Sequence, residues 1–532
     1  MKNIKSISSR FAATLMMTGI LIGCNDDFLD RQPLAQLSES TYWQNENDAM
    51  RALTAIHWVW PEYWSRAEFY QPTGFHYLDF ISGLGSDKNG QTEDFAGGGL
   101  NASHRWIPFF WDTSYERIAL CNNFIENVQK VEMNAAKKET MIAEARFWRA
   151  YTYFNLGLYF GNVPIVKEVL TIDEANSVTQ SNQLEVISYA EEELEAILSD
   201  LPTSRPSAEF GRVTRGAALG ILGRIEMYLE KWSEAAITYK TIIDSDEYSI
   251  DPRYREIFWE VGERSDEIIL SIQYATDINS SQLQKVLRPS SWGGFHQYNV
   301  YHNLVDTYLM TDGLPSDESP LYDPENPYDN RDPRLLYTVL IPEVSTFAGQ
   351  LYLAHPDHTN SLDRVNLYSW TGYTINKYLD ENYYPGNRDR WGGNWTLVRY
   401  AEVLLGYLES MLESGAAIDQ SLLDNTINLL RGREAVNMPS VTVTDPLALR
   451  EIVRRERVTE LALEGIHYFD LLRWETAVEE IRGKYYGMKL TDDPENYTLL
   501  PVNEEGYLYY TERNFKEENL LWPIPQDRKS VV

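Results

Sequence analysis

The sequence predicts a mainly α fold of tetratricopeptide-like helical repeats with long irregular loops, and three observations predict it. Ala218, Ile221, Leu222, Ile225, Tyr228 and Leu229 recur at helical spacing, Lys231-Trp232-Ser233 breaks the stripe, and Glu234-Ala235-Ala236 restarts it. That is a helical hairpin with small residues where its two arms meet. Residues 184–201 give a second amphipathic helix, with Ile187, Leu194, Ile197 and Leu198 on one face and Pro202 behind it. Leu404, Leu408, Met411 and Leu412 give a third, which pairs through a break at Gly415 with residues 420–436. No fixed period links these blocks, so they read as degenerate repeats within one body. Between them lie residues 70–105, rich in glycine, and 275–400, rich in Pro, Asn, Asp, Gly and aromatics. Connections this long in a compact protein are usually functional, so the helices read as scaffold and the loops as working surface.

The N-terminus carries an address. Lys2, Lys5 and Arg10 precede a short apolar run, Phe11 to Ile22, that is too short for a spanning helix of about 20 residues. It ends in Leu21-Ile22-Gly23-Cys24, the form of a lipobox, whose thiol takes a diacylglycerol. Residues 1–23 are therefore expected to be a cleaved signal peptide, and Cys24 an acylated, palmitate-bearing N-terminus. Asp26 and Asp27 fit display on the exterior of the outer membrane. No later segment is apolar for long enough to span a bilayer. The expected division is an N-terminal helical region over 24–260 and a C-terminal region with the binding loops over 261–532.

Composition narrows the chemistry. Net charge is −32, and loss of Lys2, Lys5 and Arg10 with the signal takes it to −35. Phosphate backbones repel such a chain, which makes nucleic acid an implausible partner. With Cys24 lipidated, Cys121 has no mate, so no intrachain disulfide is expected. There is no Gly-x-Ser-x-Gly, no His-Glu-x-x-His and no phosphate-cradling Gly-Lys-Ser/Thr. Pairs of carboxylates arise by chance among 79 acidic residues, so no enzyme is expected. Arg454-Arg455-Glu456-Arg457 with Glu460 and Glu464 lie along one helix face at spacings of three and four, where they are expected to pair with each other. No cofactor is expected. Asp323, Glu325 and Asp329 lie in an oxygen-rich segment that could hold a structural calcium, although it lacks the EF-hand order and its prolines mark consecutive turns.

Thirty-five tyrosines and 15 tryptophans are the unusual feature. Most must serve core packing; those in polar loops are the informative subset. Three loops combine rings with hydrogen-bonding groups, as a sugar requires: Tyr70 to Asn101, with His76, Tyr77, Asp79, Asp87 and Asn101; Ser290 to Tyr298, with Trp292, Phe295, His296 and Gln297; and Tyr383 to Trp395, with Arg390, Trp391 and Trp395. Trp292 and Trp391 are the expected stacking platforms, since each adjoins a glycine pair that leaves room for a ring. Asp79, Asp87, Asn101 and His296 are expected to orient hydroxyls.

Nine blocks in order resemble the SusD/RagB family of nutrient-uptake outer-membrane lipoproteins. They begin with one opening block, Phe28-Leu29-Asp30 followed by Thr41-Tyr42-Trp43, and continue through Trp111 to Val128, Ala143 to Val166, Gly211-Arg212-Val213-Thr214 and Ser265 to Ile269. Asn330 to Arg334, Arg399 to Leu405, Arg454 to Trp474 and Pro523-Ile524-Pro525-Gln526 follow. Two positions depart from the family pattern: Gly406-Tyr407-Leu408-Glu409-Ser410 replaces an Ala-Glu-Ala run, and Arg528 stands near an expected acid. The resemblance implies a SusD-like α-α superhelix of four tetratricopeptide-like units with an irregular second half carrying short strands. It implies an oligosaccharide-binding lid on a SusC-like TonB-dependent transporter. A peptide-binding RagB-like lid and a surface glycoside hydrolase are the alternatives.

Overall fold

The computed structural model describes residues 42–57, 72–104 and 106–526. The signal peptide, Cys24, Tyr70 and Arg528 lie outside the described residues. The scaffold helices are α1 (Glu46–His57), α2 (Pro72–Ile81), α3 (Gln91–Ala96), α4 (Trp106–Asn127), α5 (Ala135–Phe160), α6 (Gln183–Ile197), α7 (Arg215–Tyr228), α8 (Trp232–Ile243), α9 (Tyr400–Glu413), α10 (Pro446–Leu461) and α11 (His467–Arg473). Among them no helix is long and apolar enough to cross a membrane.

Polar residues just outside the apolar stripes start several of these helices. Asn134, Asn182, Thr214 and Asp445 each accept the backbone N–H three residues on, which satisfies one of the free amides of the first turn. At Asn182 the Glu185 side chain returns the bond to the cap's own amide and closes a capping box. Pro446 occupies the first turn of α10, where no donor is missed.

Neighbouring helices stack in a continuous series: α4 on α5, α5 on α6, α6 on α7, α7 on α8, α8 on α9 and α9 on α10. The break expected at 231–233 falls between α7 and α8. At that junction the Tyr239 ring of α8 lies between Gly223 of α7 and Gly406 of α9, and a Cβ at either glycine would come within 2.5 or 2.7 Å of the ring. Glycine at 406 thus leaves the space that a tyrosine fills. The series also joins distant sequence, since α9 belongs to the second half of the chain. Contacts cross the boundary expected at 260 in several other places, among them the buried Arg224–Glu402 ion pair at 2.6 Å.

Every sheet among the described residues has only two strands. Those that matter for function are β1 (Gly85–Asp87) against β3 (Tyr298–Val300), β2 (Ile268–Ile272) against β4 (Trp395–Arg399), and the hairpin of β5 (Gly483–Lys489) with β6 (Tyr507–Arg513). All three pairs are antiparallel.

A lattice of buried charge fastens β4 to α10. Arg399 reaches Glu464 at 2.7 Å, Glu460 at 2.7 Å and Glu267 at 2.8 Å. Glu460 also receives Arg334 at 2.8 Å and Arg433 at 3.1 Å. Burial alone would raise the Glu460 pKa, but Arg433, Arg399 and Arg334 outweigh it and hold the carboxyl well below the usual range. Arg457 instead pairs with Asp470 of α11 at 2.9 Å. The charged face of α10 is thus structural, as expected, but its partners come from other elements and not from within the helix. At i,i+4 spacing on a wet surface such pairs stabilise weakly; shared among elements in the core, each holds a chain crossing in place.

Candidate functional site

Most of the residues expected to bind ligand lie in the core. The stretch 70–105 contains α2 and α3, and α2 turns His76, Tyr77 and Asp79 inward. His76 sits among Phe80, Tyr298, Tyr378 and Trp395. Tyr77 packs on Trp106 with ring centroids 4.5 Å apart. Asp79 accepts the backbone N–H groups of Gly465 and His467 at 2.7 and 3.1 Å, which ties α2 to the start of α11. Burial raises its pKa to about 7 against those two bonds. His296 is buried between Asp363, 3.2 Å from Nδ1, and the Tyr352 hydroxyl. Asn101 is exposed, as are Phe295 and Arg390 of the other two loops, and the Asn101 Oδ1 accepts from the backbone and hydroxyl of Ser103.

The two expected platforms do not fit a stacking role in this geometry. Trp292 ends a single 3-10 turn, Ser290–Trp292, and stacks on Phe347 at 4.9 Å. Trp391 has no exposed surface, and its indole N–H donates to Asp380 at 3.2 Å. Gly393 leaves room for Trp391 itself: a Cβ there would lie 1.9 Å from the indole. The glycine pair that suggested space for a sugar is space for the neighbouring ring. Asp323, Glu325 and Asp329 are exposed, and the Asp323 carboxylate accepts from Glu325 N–H and the Asn326 amide within its own turn. Among the described residues the acidic side chains whose oxygens converge are Glu191, Glu195 and Glu226.

The aromatic surface that remains open lies where β1, the turn at 365–370 and β6 meet, around a cleft of about 470 Å³. Asp87 builds its first wall from behind. Buried at the end of β1, it accepts Asn89 N–H, Thr92 N–H and the Thr92 hydroxyl. Burial raises its pKa while those bonds lower it. The loop so fixed projects Lys88, Asn89 and Gly90 into the cleft.

The second wall is a tight turn in which Asn366 adopts a left-handed conformation, φ 70°, tolerable for Asn. Asn299 of β3 anchors its exit by accepting the Trp370 backbone N–H at 2.9 Å. Trp370 remains 41% exposed and Tyr368 39%. The Lys88 ammonium sits 4.2 Å above the Tyr368 ring, a cation–π contact that links the two walls. The third wall is β6, with Tyr509 and Tyr510 half-buried beside Thr511. An open indole, two tyrosines and a fringe of amide, ammonium and hydroxyl groups can stack a pyranose and hydrogen-bond its rim.

Two other depressions compare poorly. A cleft of about 640 Å³ across the same hairpin, near His302, Asp306 and Lys484, offers charge and tyrosine but no tryptophan. A groove of about 700 Å³ along α4, near Leu120 and Val169, is mostly apolar, with Glu116, Asn122, Asn123 and Glu168 also lining it, and its one tryptophan, Trp111, is buried.

Comparisons with known proteins agree with this architecture. The model of the SusD family matches residues 257–531, and one described as "Starch-binding associating with outer membrane" matches residues 30–229. A SusD-like carbohydrate binding protein from Bacteroides fragilis is 35% identical, with a TM-score of 0.88 over 92% of this chain and 99% of that one. SusD-like protein P38 of Formosa agariphila is 24% identical over 90% of this chain and 93% of its own length. Surface glycan-binding protein A from Bacteroides thetaiotaomicron, solved in complex with laminarihexaose, shares the fold at 20% identity, with a TM-score of 0.67 over 92% and 99% of the two chains. Stacked helices closed by an Arg–Glu lattice, the nine motif blocks in order and these matches together place the chain in the SusD family.

Proposed function

We propose that this protein captures neutral oligosaccharides at the Trp370 cleft and passes them to a SusC-like TonB-dependent transporter, on which it sits as a lid. The observation that carries the glycan reading is the Trp370 indole, held half open by Asn299 in a cleft whose apolar lining of Val365, Leu500 and Leu508 is interrupted by Lys88, Asn89, Asn366 and Thr511. The ring stacks on the CH face of a sugar, Tyr368 extends the platform, and Lys88, Asn89 and Asn366 take hydroxyls. Relatives described as binding carbohydrate and laminarihexaose support this reading. The cleft pairs no nucleophile with a base, which favours a binder over an enzyme. Cys24 would anchor the chain to the outer membrane through its acyl chains, facing the exterior.

The test is calorimetry of the wild type against a panel that includes laminarihexaose and maltohexaose, then of Trp370→Ala and Lys88→Ala. Trp370→Ala should lose about 1–3 kcal/mol of binding to any glycan the wild type holds, and Lys88→Ala less. Unchanged affinity in Trp370→Ala would remove the cleft from the function. Binding of peptides but of no glycan would favour the RagB-like reading, and sugar released from labelled polysaccharide would favour a hydrolase. Co-purification with a large barrel from the native outer membrane tests the lid role.

A further inference from the structure

One group of charges on the helical scaffold is unbalanced. Glu191 and Glu195 stand one turn apart on α6, and Glu226 faces them from α7; one carboxylate oxygen of each lies within 4.8 Å of the other two. Glu226 is 4% exposed. Its Oε1 accepts the Thr238 hydroxyl at 3.0 Å, while its Oε2 has no hydrogen-bond partner. A buried carboxylate oxygen left without a donor is costly and calls for a cation or a proton. The Lys231 ammonium, in the turn between α7 and α8, bonds both oxygens of Glu191 at 2.7 Å. One positive charge thus faces three negative ones, with Glu234 of α8 adding to the field on Glu226.

We propose that Glu191, Glu195 and Glu226 form a binding site for a divalent cation of calcium's size, with Lys231 as its built-in competitor. The ligand set is all hard oxygen. One oxygen of each side chain lies within 4.8 Å of the other two, close enough for one cation to touch all three, and magnesium, which demands near-ideal octahedral geometry and dehydrates reluctantly, suits carboxylates already held by Lys231 and Thr238 less well than calcium does. The exposed Glu195 opens the site to solvent, and Lys231, whose side chain is 43% exposed, can swing away when the cation enters. Ligation would supply the partner that Glu226 Oε2 lacks and clamp α6 to α7, reinforcing the tetratricopeptide-like stack. With few protein ligands the affinity belongs in the range of about 0.1–1 mM typical of extracellular modules.

The experiment is thermal melting and calorimetry of the chelator-treated chain with CaCl₂ or MgCl₂, at matched ionic strength, at pH 8. Calcium should raise Tm more than magnesium. Glu226→Gln and the surface variant Glu195→Gln should each weaken calcium roughly ten-fold or more, because both remove ligand charge. Lys231→Met should strengthen it, and Asp323→Asn should leave it unchanged. No calcium-dependent shift in the wild type overturns the proposal; if Glu226→Gln is then also more stable at pH 8, a proton holds that oxygen. An equal response in Glu226→Gln, or one lost in Asp323→Asn, places the cation elsewhere.

Discussion

Two aromatic loops of the same long irregular stretch meet opposite fates. At 391–394 the chain folds inward: Trp391 donates to Asp380, Gly392 N–H is taken by Glu260 at 2.8 Å and Asn394 N–H by Glu263 at 2.9 Å. At 365–370 the chain turns back on itself, one asparagine anchors its exit, and Tyr368 and Trp370 stay in solvent. Both loops read alike as polar sequence with tryptophan. The difference lies in their partners: Glu260 and Glu263 from a distant segment, with Asp380 from earlier in the same stretch, wait for the backbone and indole donors of the first loop, so its burial leaves those donors paired. An aromatic residue in a polar loop therefore marks a binding surface only when the polar residues around it are not already spoken for by backbone.

Removing the charge lattice at the far end of β4, the strand into which the buried loop leads, is the most severe way to test that contrast. Glu460→Ala leaves Arg399, Arg334 and Arg433 sharing fewer carboxylates in the core. The expected cost is about 3–5 kcal/mol in chemical denaturation, enough to unfold a marginal chain. A loss below about 1 kcal/mol would mean that the lattice is wet and not part of the core.

The tryptophans themselves give the next largest effect. Trp391→Phe loses the N–H to Asp380 and should cost about 1–3 kcal/mol of stability without altering glycan affinity, unless the loop shifts. Trp370→Ala should change stability by no more than about 0.5 kcal/mol and act on binding alone. Exchange of these outcomes between the two variants would reverse the placement of core and site.

Much of the scaffold was legible because its signal is local. The stripe at 218–229, the break at 231–233 and the restart at 234 depend on helical periodicity, and α7 and α8 follow it. The family blocks carried the rest of the architecture. The site was less legible because exposure is decided by long-range partners. Nothing near His76 or Asp79 announces that Gly465 and His467 will meet Asp79, or that Tyr298 and Trp395 will enclose His76. Trp370 lay within the stretch singled out as working surface, yet the only local hints were a Tyr-Ser-Trp run and the Asn366 turn. The lattice partners of Glu460 are similarly remote: Arg399 and Arg334 precede it by 61 and 126 residues.

The last test concerns His76, which separates core from ligand site by its response to pH. It is fully buried, neither ring nitrogen has a hydrogen-bond partner among the described residues, and burial, with Lys377 nearby, lowers its pKa to about 3. A histidine that stays neutral when folded but protonates when unfolded makes the unfolded state bind more protons. Its share of stability is therefore complete above the unfolded pKa of about 6.5 and is lost as pH falls below it. At pH 5 that penalty is roughly 2 kcal/mol. His57 and His467, lowered to about 3 and 4 by burial, act in the same direction. Asp79 and Glu226, each raised to about 7, act in the opposite one, since the folded state holds their protons. The wild-type curve mixes these terms, so the informative quantity is the difference between variants. His76→Phe keeps an aromatic ring against Phe80 and Trp395 and removes the titration. Its stability relative to wild type should rise by roughly 2 kcal/mol between pH 8 and pH 5, with glycan affinity unchanged at pH 8. A pH-independent difference would mean that the imidazole is hydrated or paired in solution. A loss of glycan binding in the folded variant would return His76 to the ligand.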